Sequence, residues 1–190
     1  MRPWIGRRPD LIAALLGPVL LLLLTIMANA QDRPAATLDQ LFAQLRIAPD
    51  AGAAQDITDK IWIVWTSPAD PLLAARMREI LQLRNGMDLP GALTLLDELV
   101  VDYPDYAEGW NQRATIHYLM SNYDASLADI GKVLQLEPRH FGALVGRAVI
   151  YRSQGKQTLA VKDMAAALAL HPFLVERALF PELLDDVTRI

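Results

Sequence analysis

The chain has 190 residues, enough for one domain with a buried core, and it contains no cysteine. The lack of cysteine excludes a disulfide framework, a thiol nucleophile and a metal site built on cysteine. With 22 acidic residues against 18 basic ones the chain is mildly acidic, and no basic patch indicates nucleic-acid binding.

The first thirty residues have the layout of a secretory signal peptide. Arg2, Arg7 and Arg8 precede an uncharged stretch over residues 11–31, and the sequence Ala28-Asn29-Ala30 fits a cleavage site. Cleavage after Ala30 removes three arginines and one aspartate, which leaves 15 basic and 21 acidic residues and a net charge of −6. Residues 1–30 are therefore predicted to direct the chain to the periplasm or out of the cell, without membrane contact after cleavage.

An uncleaved membrane anchor is the alternative, because the uncharged stretch is about long enough to span a bilayer. The rest of the chain would then be anchored and face outside the cytoplasm.

Residues 31–36 are predicted to form a polar linker, and residues 37–72 a degenerate helical hairpin. Thr37 has the pattern of a helix N-cap. Trp62 and Trp65 could contact a sugar or a membrane, but their spacing is more typical of a buried helix face. The two helices of this hairpin are predicted over residues 38–46 and 53–66.

Three further hairpins follow, with turns at Asn85-Gly86, Ser121-Asn122 and Gln154-Gly155. Their helices are predicted over residues 68–84, 89–102, 107–120, 124–137, 141–153 and 156–170. Proline follows each second helix with a period of 34, at Pro104, Pro138 and Pro172.

The windows 73–106, 107–140 and 141–174 agree at places inside the hairpins as well. The eighth and twentieth places hold mostly small residues, which lets two helices approach closely, and the twenty-fourth and twenty-seventh hold mostly larger apolar residues. In window order these residues are Ile80, Ala114 and Ala148; Ala92, Ser126 and Ala160; Leu96, Ile130 and Met164; Leu99, Val133 and Ala167.

This pattern resembles the tetratricopeptide repeat (TPR). The residues that carry the resemblance are Trp110, Ala114, Ser126 and Pro138 in the second window, and Leu144, Ala148, Tyr151, Ala160 and Pro172 in the third. The first window departs from the pattern at Arg76 and Ile80. The resemblance implies an all-α fold, an α-solenoid of antiparallel hairpins with three repeats at 73–106, 107–140 and 141–174. Residues 175–190, with a short helix over 182–189, are predicted to cap its end.

No catalytic or cofactor motif is present, so the chain is predicted to be a non-enzyme without a cofactor or metal. His117 takes the place of the repeat's tyrosine and is interpreted as a packed residue, while His140 and His171 fall in loops. Asp185 and Asp186 lack a third ligand nearby in sequence, so they do not indicate a metal site.

One charged pair repeats with the period. Arg113 lies 16 residues before Asp129, and Arg147 lies 16 before Asp163. The resemblance implies that these places face each other across a hairpin. We therefore expect each arginine to bind its own aspartate through two hydrogen bonds rather than an external anion.

The resemblance also implies a concave face, lined by the first helix of each hairpin. Glu108, Met77 and Gly142 fall on this face, and the latter two stand where the dicarboxylate clamp of chaperone-binding repeats carries basic residues. The predicted peptide-binding residues on the concave face are Arg84, Asn111, Thr115, Tyr118, Val145 and Arg152.

Two hypotheses are open for function. The first is an exported interaction module that binds a protein or peptide on its concave face, for instance in envelope assembly. The second is a structural subunit that associates with itself or with a complex through its apolar ends, helped by the region of Trp62 and Trp65.

Overall fold

The computed structural model describes residues 33–183, and the predicted signal peptide lies outside this range. By its internal contacts the chain divides after Gln40, and the first unit is described only as the opening turns of one helix. Residues 41–183 are the described part of the second unit, which contains all three repeats. Residues 184–190 of the predicted C-terminal cap, which include Asp185 and Asp186, also lie outside the described range.

The described residues form eight α-helices and two short 3-10 helices, without a strand, which confirms the all-α fold class. The helix α1 begins at Arg33, so residues 33–36 are helical and Thr37 lies inside α1 rather than at its start. Elsewhere the predicted bounds hold to within three residues. The helices are α1 Arg33–Arg46, α2 Ala51–Thr66, α3 Pro71–Asn85, α4 Leu89–Asp102, α5 Ala107–Leu119, α6 Tyr123–Leu136, α7 Phe141–Ser153 and α8 Gln157–Leu170, followed by the 3-10 helices Val175–Leu179 and Pro181–Leu183. Within the described range, no helix is both long and apolar enough to cross a membrane.

The repeat places form the core between α3 and α8. All twelve residues at the eighth, twentieth, twenty-fourth and twenty-seventh places are at most 3% exposed. Ser126, the polar member of this set, donates its hydroxyl to the carbonyl oxygen of Ala114 at 2.8 Å, which satisfies it inside the hairpin. The 34-residue period found in the sequence is thus also the period at which side chains are buried in the core.

The turn inside each hairpin needs one residue in the left-handed region. Met87, Ser121 and Gly155 have φ values of 62°, 62° and 72°, and they are spaced by the same 34 residues. Glycine tolerates this conformation, whereas a residue with a β-carbon is strained by it. Only the third hairpin has glycine there; Gly86, which the sequence suggested as the stop of α3, has φ −79° instead.

The helix α2 does not extend the stack as a fourth layer of the same kind. Its buried stripe consists of Ala54, Thr58, Ile61 and Trp65. Trp65 stacks on His140 at the start of α7, and Thr58 contacts His171, which follows α8 within the third repeat. The helix α2 therefore buries its apolar stripe against the repeats.

The segment after α8 closes the third repeat with Phe180. This ring is 0% exposed and packs in the cluster that includes Leu144, Ala148 and Met164. Arg152 lies over the ring of Phe180, with its guanidinium carbon 5.1 Å from the ring centre.

Candidate functional site

The repeated arginines and aspartates pair as predicted. Arg113 Nε and Nη2 donate to Asp129 Oδ2 and Oδ1 at 2.8 and 2.7 Å. Arg147 Nε and Nη2 donate to Asp163 Oδ2 and Oδ1 at 2.6 and 2.8 Å. Hydrogen bonding to these aspartates raises the pKa of both arginines. Each guanidinium group already forms two hydrogen bonds with an aspartate of its own hairpin. We therefore interpret both arginines as residues that hold the two helices of a hairpin together.

Arg113 has a further partner that the sequence did not indicate. Its Nη1 donates to Asp97 Oδ1 of the first repeat at 3.0 Å, so this arginine joins two hairpins. The guanidinium carbon also lies 4.9 Å from the ring centre of Trp110.

A buried polar cluster lies where α2 meets the second and third repeats. Glu108, predicted to lie on the open concave face, is only 1% exposed, and Glu108 Oε2 lies 2.9 Å from His140 Nε2. His140 Nδ1 accepts from the backbone nitrogen of Ala143 at 3.1 Å, so Nε2 carries the proton that is donated to Glu108. His140 thereby caps α7 and is fully buried, although its place in a loop gave no sign of this.

Trp65 covers the cluster. Its ring stacks on the ring of His140, with centres 4.1 Å apart and planes 9° apart, and it also touches Phe141. The hydroxyl of Tyr106 donates to the carbonyl oxygen of Trp65 at 2.6 Å, and burial raises the pKa of this tyrosine. The prediction that Trp65 belongs to a core is thus confirmed, since it is 6% exposed.

The other contacts of α2 lie further along the repeats. Thr58 donates its hydroxyl to Ala54, so its oxygen accepts the proton of His171 Nε2 at 3.0 Å. Trp62 lies over Gly142, where a β-carbon would stand 3.0 Å from the indole ring. As a result α2 occupies the part of the concave face nearest the first turns of α5 and α7.

The remaining part of the concave face contains a cavity of about 210 Å³ between α5 and α7. Four of the six predicted site residues, Asn111, Thr115, Tyr118 and Val145, line this cavity together. The other lining residues are Ala114, Ser126, Ile130, Gly142, Ala143, Gly146, Val149, Ile150 and Glu176.

Asn111 presents an unused acceptor to this cavity. The residue is 7% exposed, and its side-chain nitrogen is held by both oxygens of Glu108 at 3.3 and 3.2 Å. Within the described part of the chain, no donor reaches its side-chain oxygen. Tyr118, which is 39% exposed, lies at the outer end of the same helix.

The two predicted arginines are placed apart from this cavity. Arg84 donates from Nη1 to Gln112 Oε1 at 2.6 Å and lines a neighbouring recess with Trp62, Asn111 and Thr115. Arg152 lies toward the C-terminal segment, with Nη1 3.5 Å from Glu182 Oε1 and its guanidinium over Phe180.

The chain is similar to a TPR repeat-containing protein of Rhizobium etli. The two are 40% identical over 148 residues, which are 76% of this chain and 71% of the relative. Sperm-associated antigen 1 of Rattus norvegicus is 35% identical over 66 residues, which are 35% of this chain and 7% of that protein. The corresponding human protein is 36% identical over 59 residues, which are 31% of this chain and 6% of that protein.

The crystal structure of MamA superposes on the chain with a TM-score of 0.48 and 16% sequence identity, over 76% of this chain and 81% of that one. No family model matches the chain. The 34-residue period, the burial of the same places in every hairpin and the Rhizobium relative together show that the chain belongs to the tetratricopeptide-repeat family.

Proposed function

We propose that this chain is a protein-interaction module that binds an extended segment of a partner protein on the open part of its concave face. The homologues support the coarser statement, a TPR protein-interaction module. The single observation that carries the finer one is the cavity in which Asn111, Thr115, Tyr118 and Val145 meet.

The polar groups of this cavity suit a peptide backbone. The free side-chain oxygen of Asn111 accepts an N–H of the segment, while the bond from its nitrogen to Glu108 fixes the orientation of the amide. An N–H of the segment at this point exchanges a hydrogen bond with water for one with Asn111, which is modestly stabilising. Tyr118 supplies a partly exposed ring and hydroxyl, the kind of side chain that often dominates binding energy.

The place of α2 limits where the segment lies. Because Trp62 and Trp65 cover the first turns of α5 and α7, the free surface is the one toward the C-terminal turns of these helices. The segment therefore runs past Thr115, Tyr118 and Val149. In this proposal Arg84 flanks the segment across the recess, and Arg152 stays with the C-terminal segment.

The proposed setting is the periplasm or the outside of the cell. The support is the layout of residues 1–30, with three arginines, an apolar stretch and a small-residue cleavage pattern. A partner in the envelope fits this setting. The mass of the mature protein tests it: loss of residues 1–30 is expected, whereas an intact N-terminus would favour the anchor.

Photocrosslinking in cells tests the proposed site. A photoreactive residue replaces Tyr118 on the concave face, and in the matched control it replaces Lys132, which is exposed on the second helix of the same hairpin. A discrete adduct from position 118 alone is expected, and mass spectrometry then identifies the partner. Equal adducts from both positions, or none from 118, would contradict binding on this face.

The second candidate function is association of the chain with itself or with a complex through the C-terminal end of the repeat stack. It is favoured by apolar side chains at that end, since Val175, Leu179 and Leu159 are 82%, 48% and 45% exposed. The Trp62–Trp65 region does not support it in the way the sequence suggested, because Trp65 is already buried against His140 and Phe141. Sedimentation at several concentrations separates the two, since a strict monomer at all concentrations contradicts self-association.

A further inference from the structure

We propose that the cavity between α5 and α7 receives one large apolar side chain of the bound segment, and that Glu176 selects a basic residue directly beside it. This inference rests on the proposed function and names the chemical class of its ligand.

The walls of the cavity are predominantly apolar. Ala114 comes from α5, Ile130 from α6, and Val145, Val149 and Ile150 from α7. The volume of about 210 Å³ is larger than the roughly 150 Å³ of an apolar cavity that binds benzene in another protein. A leucine or phenylalanine side chain therefore fits, and burying it there removes apolar surface from water.

Gly146 leaves this space open without a packing reason inside the chain. A β-carbon at this position would stand 3.7 Å from Ile130 Cδ1, which is an ordinary contact. Glycine in the middle of a helix is less favourable than alanine. Gly142 differs, because Trp62 closes on it. The glycine at 146 therefore maintains a void that an external side chain can fill.

Glu176 supplies the charge at the edge of the cavity. It lies in the first turn of the 3-10 helix Val175–Leu179 and is partly buried. Within residues 41–183 it forms no salt bridge, unlike Glu108, Glu137 and Glu182. The chain as a whole carries a net charge of −4. A lysine or arginine next to the apolar residue complements both the local and the overall charge.

A peptide array tests the inference with the full-length protein. The probes are nonapeptides with random flanks and a central pair that is Leu-Lys, Leu-Glu or Ala-Lys. We expect Leu-Lys peptides to bind most strongly. Replacing the leucine with alanine should weaken binding by about 50-fold, from three buried carbon groups, and reversing the charge by about threefold, as for a partly exposed ion pair.

Two variants link these preferences to the cavity. Gly146→Leu fills the void and is expected to abolish the difference between Leu-Lys and Ala-Lys peptides. Glu176→Lys is expected to turn the preference from Leu-Lys to Leu-Glu. If Gly146→Leu does not fold by circular dichroism, Val149→Thr serves instead, because it keeps the volume and makes the wall polar. Lys132→Ala, on the opposite helix, should change neither preference.

Any one of three results would overturn the inference. These are equal binding of Leu-Lys and Ala-Lys peptides, unchanged preferences in the variants, and binding to the wild-type protein that is no stronger than binding to Gly146→Leu. Photocrosslinking from position 118 distinguishes failure of this inference from failure of the proposed function. A discrete adduct at 118 together with no apolar or basic preference refutes the ligand class alone, whereas absence of the adduct refutes the site itself.

Discussion

The pair Arg147–Asp163 allows a quantitative test of what holds a hairpin together. Asp163 is 9% exposed in its side chain and Arg147 is 26% exposed, so the two partners are not equally able to reach water once the other is removed. Arg147→Ala leaves a buried carboxylate without its two strongest hydrogen bonds. Asp163→Ala leaves a guanidinium that can turn toward solvent. We therefore expect the arginine to be the more costly residue to remove.

The expected magnitudes follow from this asymmetry. Loss of Arg147 should lower the free energy of unfolding by about 2–3 kcal/mol, because a buried charge is left uncompensated. Loss of Asp163 should lower it by about 1.5 kcal/mol, the contribution of hydrogen bonds to a charged group. The double variant leaves no buried charge, so it should lose only about as much as Asp163→Ala alone, and the coupling is then about 2–3 kcal/mol.

Urea denaturation of the wild type, both single variants and the double variant measures this coupling. The gain in helix propensity from alanine appears in single and double variants alike, so it cancels in the cycle. Arg76 and Asp102 serve as a control pair with an exposed carboxylate: they lie 2.5 Å apart, Arg76 is 23% and Asp102 56% exposed, and a coupling below about 1 kcal/mol is expected. Strictly additive losses at positions 147 and 163, or a larger loss for the aspartate, would refute the reasoning.

Three further predictions concern single positions. Met87→Gly should raise the free energy of unfolding by about 0.5–1 kcal/mol, because Met87 is 67% exposed and its φ of 62° strains any residue with a β-carbon; a loss in a urea melt would contradict this. Burial lowers the pKa of His171 from its ordinary 6.5, against a smaller opposing effect of Glu176. Because this pKa is lower in the folded protein, His171 becomes protonated at a higher pH in the unfolded chain, and the free energy of unfolding falls as the pH drops below about 6.5. This fall should be smaller in His171→Asn when unfolding is measured at pH 7.5 and 5.5. Gly142→Ala should cost about 1–3 kcal/mol, since its β-carbon would lie 3.0 and 3.2 Å from the ring of Trp62, and thermal melts should show no such cost in a Trp62→Leu background.

The helices and the core places of the repeats could be predicted because both depend on local pattern. The period of 34 residues indicates which side chains meet inside a hairpin, and Ala92, Leu96 and Leu99 are buried accordingly. The pairing of Arg147 with Asp163 also follows from the period. The strained turns at Met87 and Ser121 could not be predicted in this way, since neither residue type signals a left-handed backbone.

The placement of α2 lay beyond local pattern for a different reason. The stripe that ends in Trp65 requires burial, but it does not say against which surface. The answer depends on His140 and Phe141, some 75 residues later in the chain, and His140 resembles an ordinary loop residue until its two hydrogen bonds are seen. Glu108 was therefore assigned to open surface, although it is the buried partner of His140.

The candidate site was predictable in part. Asn111, Thr115, Tyr118 and Val145 share one cavity because the spacing of a helix places them on one side of α5 and the facing side of α7. Arg152 obeys the same spacing, but Phe180 and Glu182 of the C-terminal segment attract its long side chain away. The position of a long charged side chain depends on its contacts, and the contacts of Arg152 lie outside the repeat.

The contacts of α2 also bear on how the chain unfolds. In an ordinary repeat stack each hairpin touches only its neighbours, so the ends can open while the middle stays folded. Here one helix contacts Tyr106 at the end of the first repeat, His140 at the end of the second and His171 near the end of the third. Opening either end must disturb that shared helix. Native-state hydrogen exchange should therefore show α4 and α8 opening with the same free energy, as in a closed globular domain rather than a fraying rod.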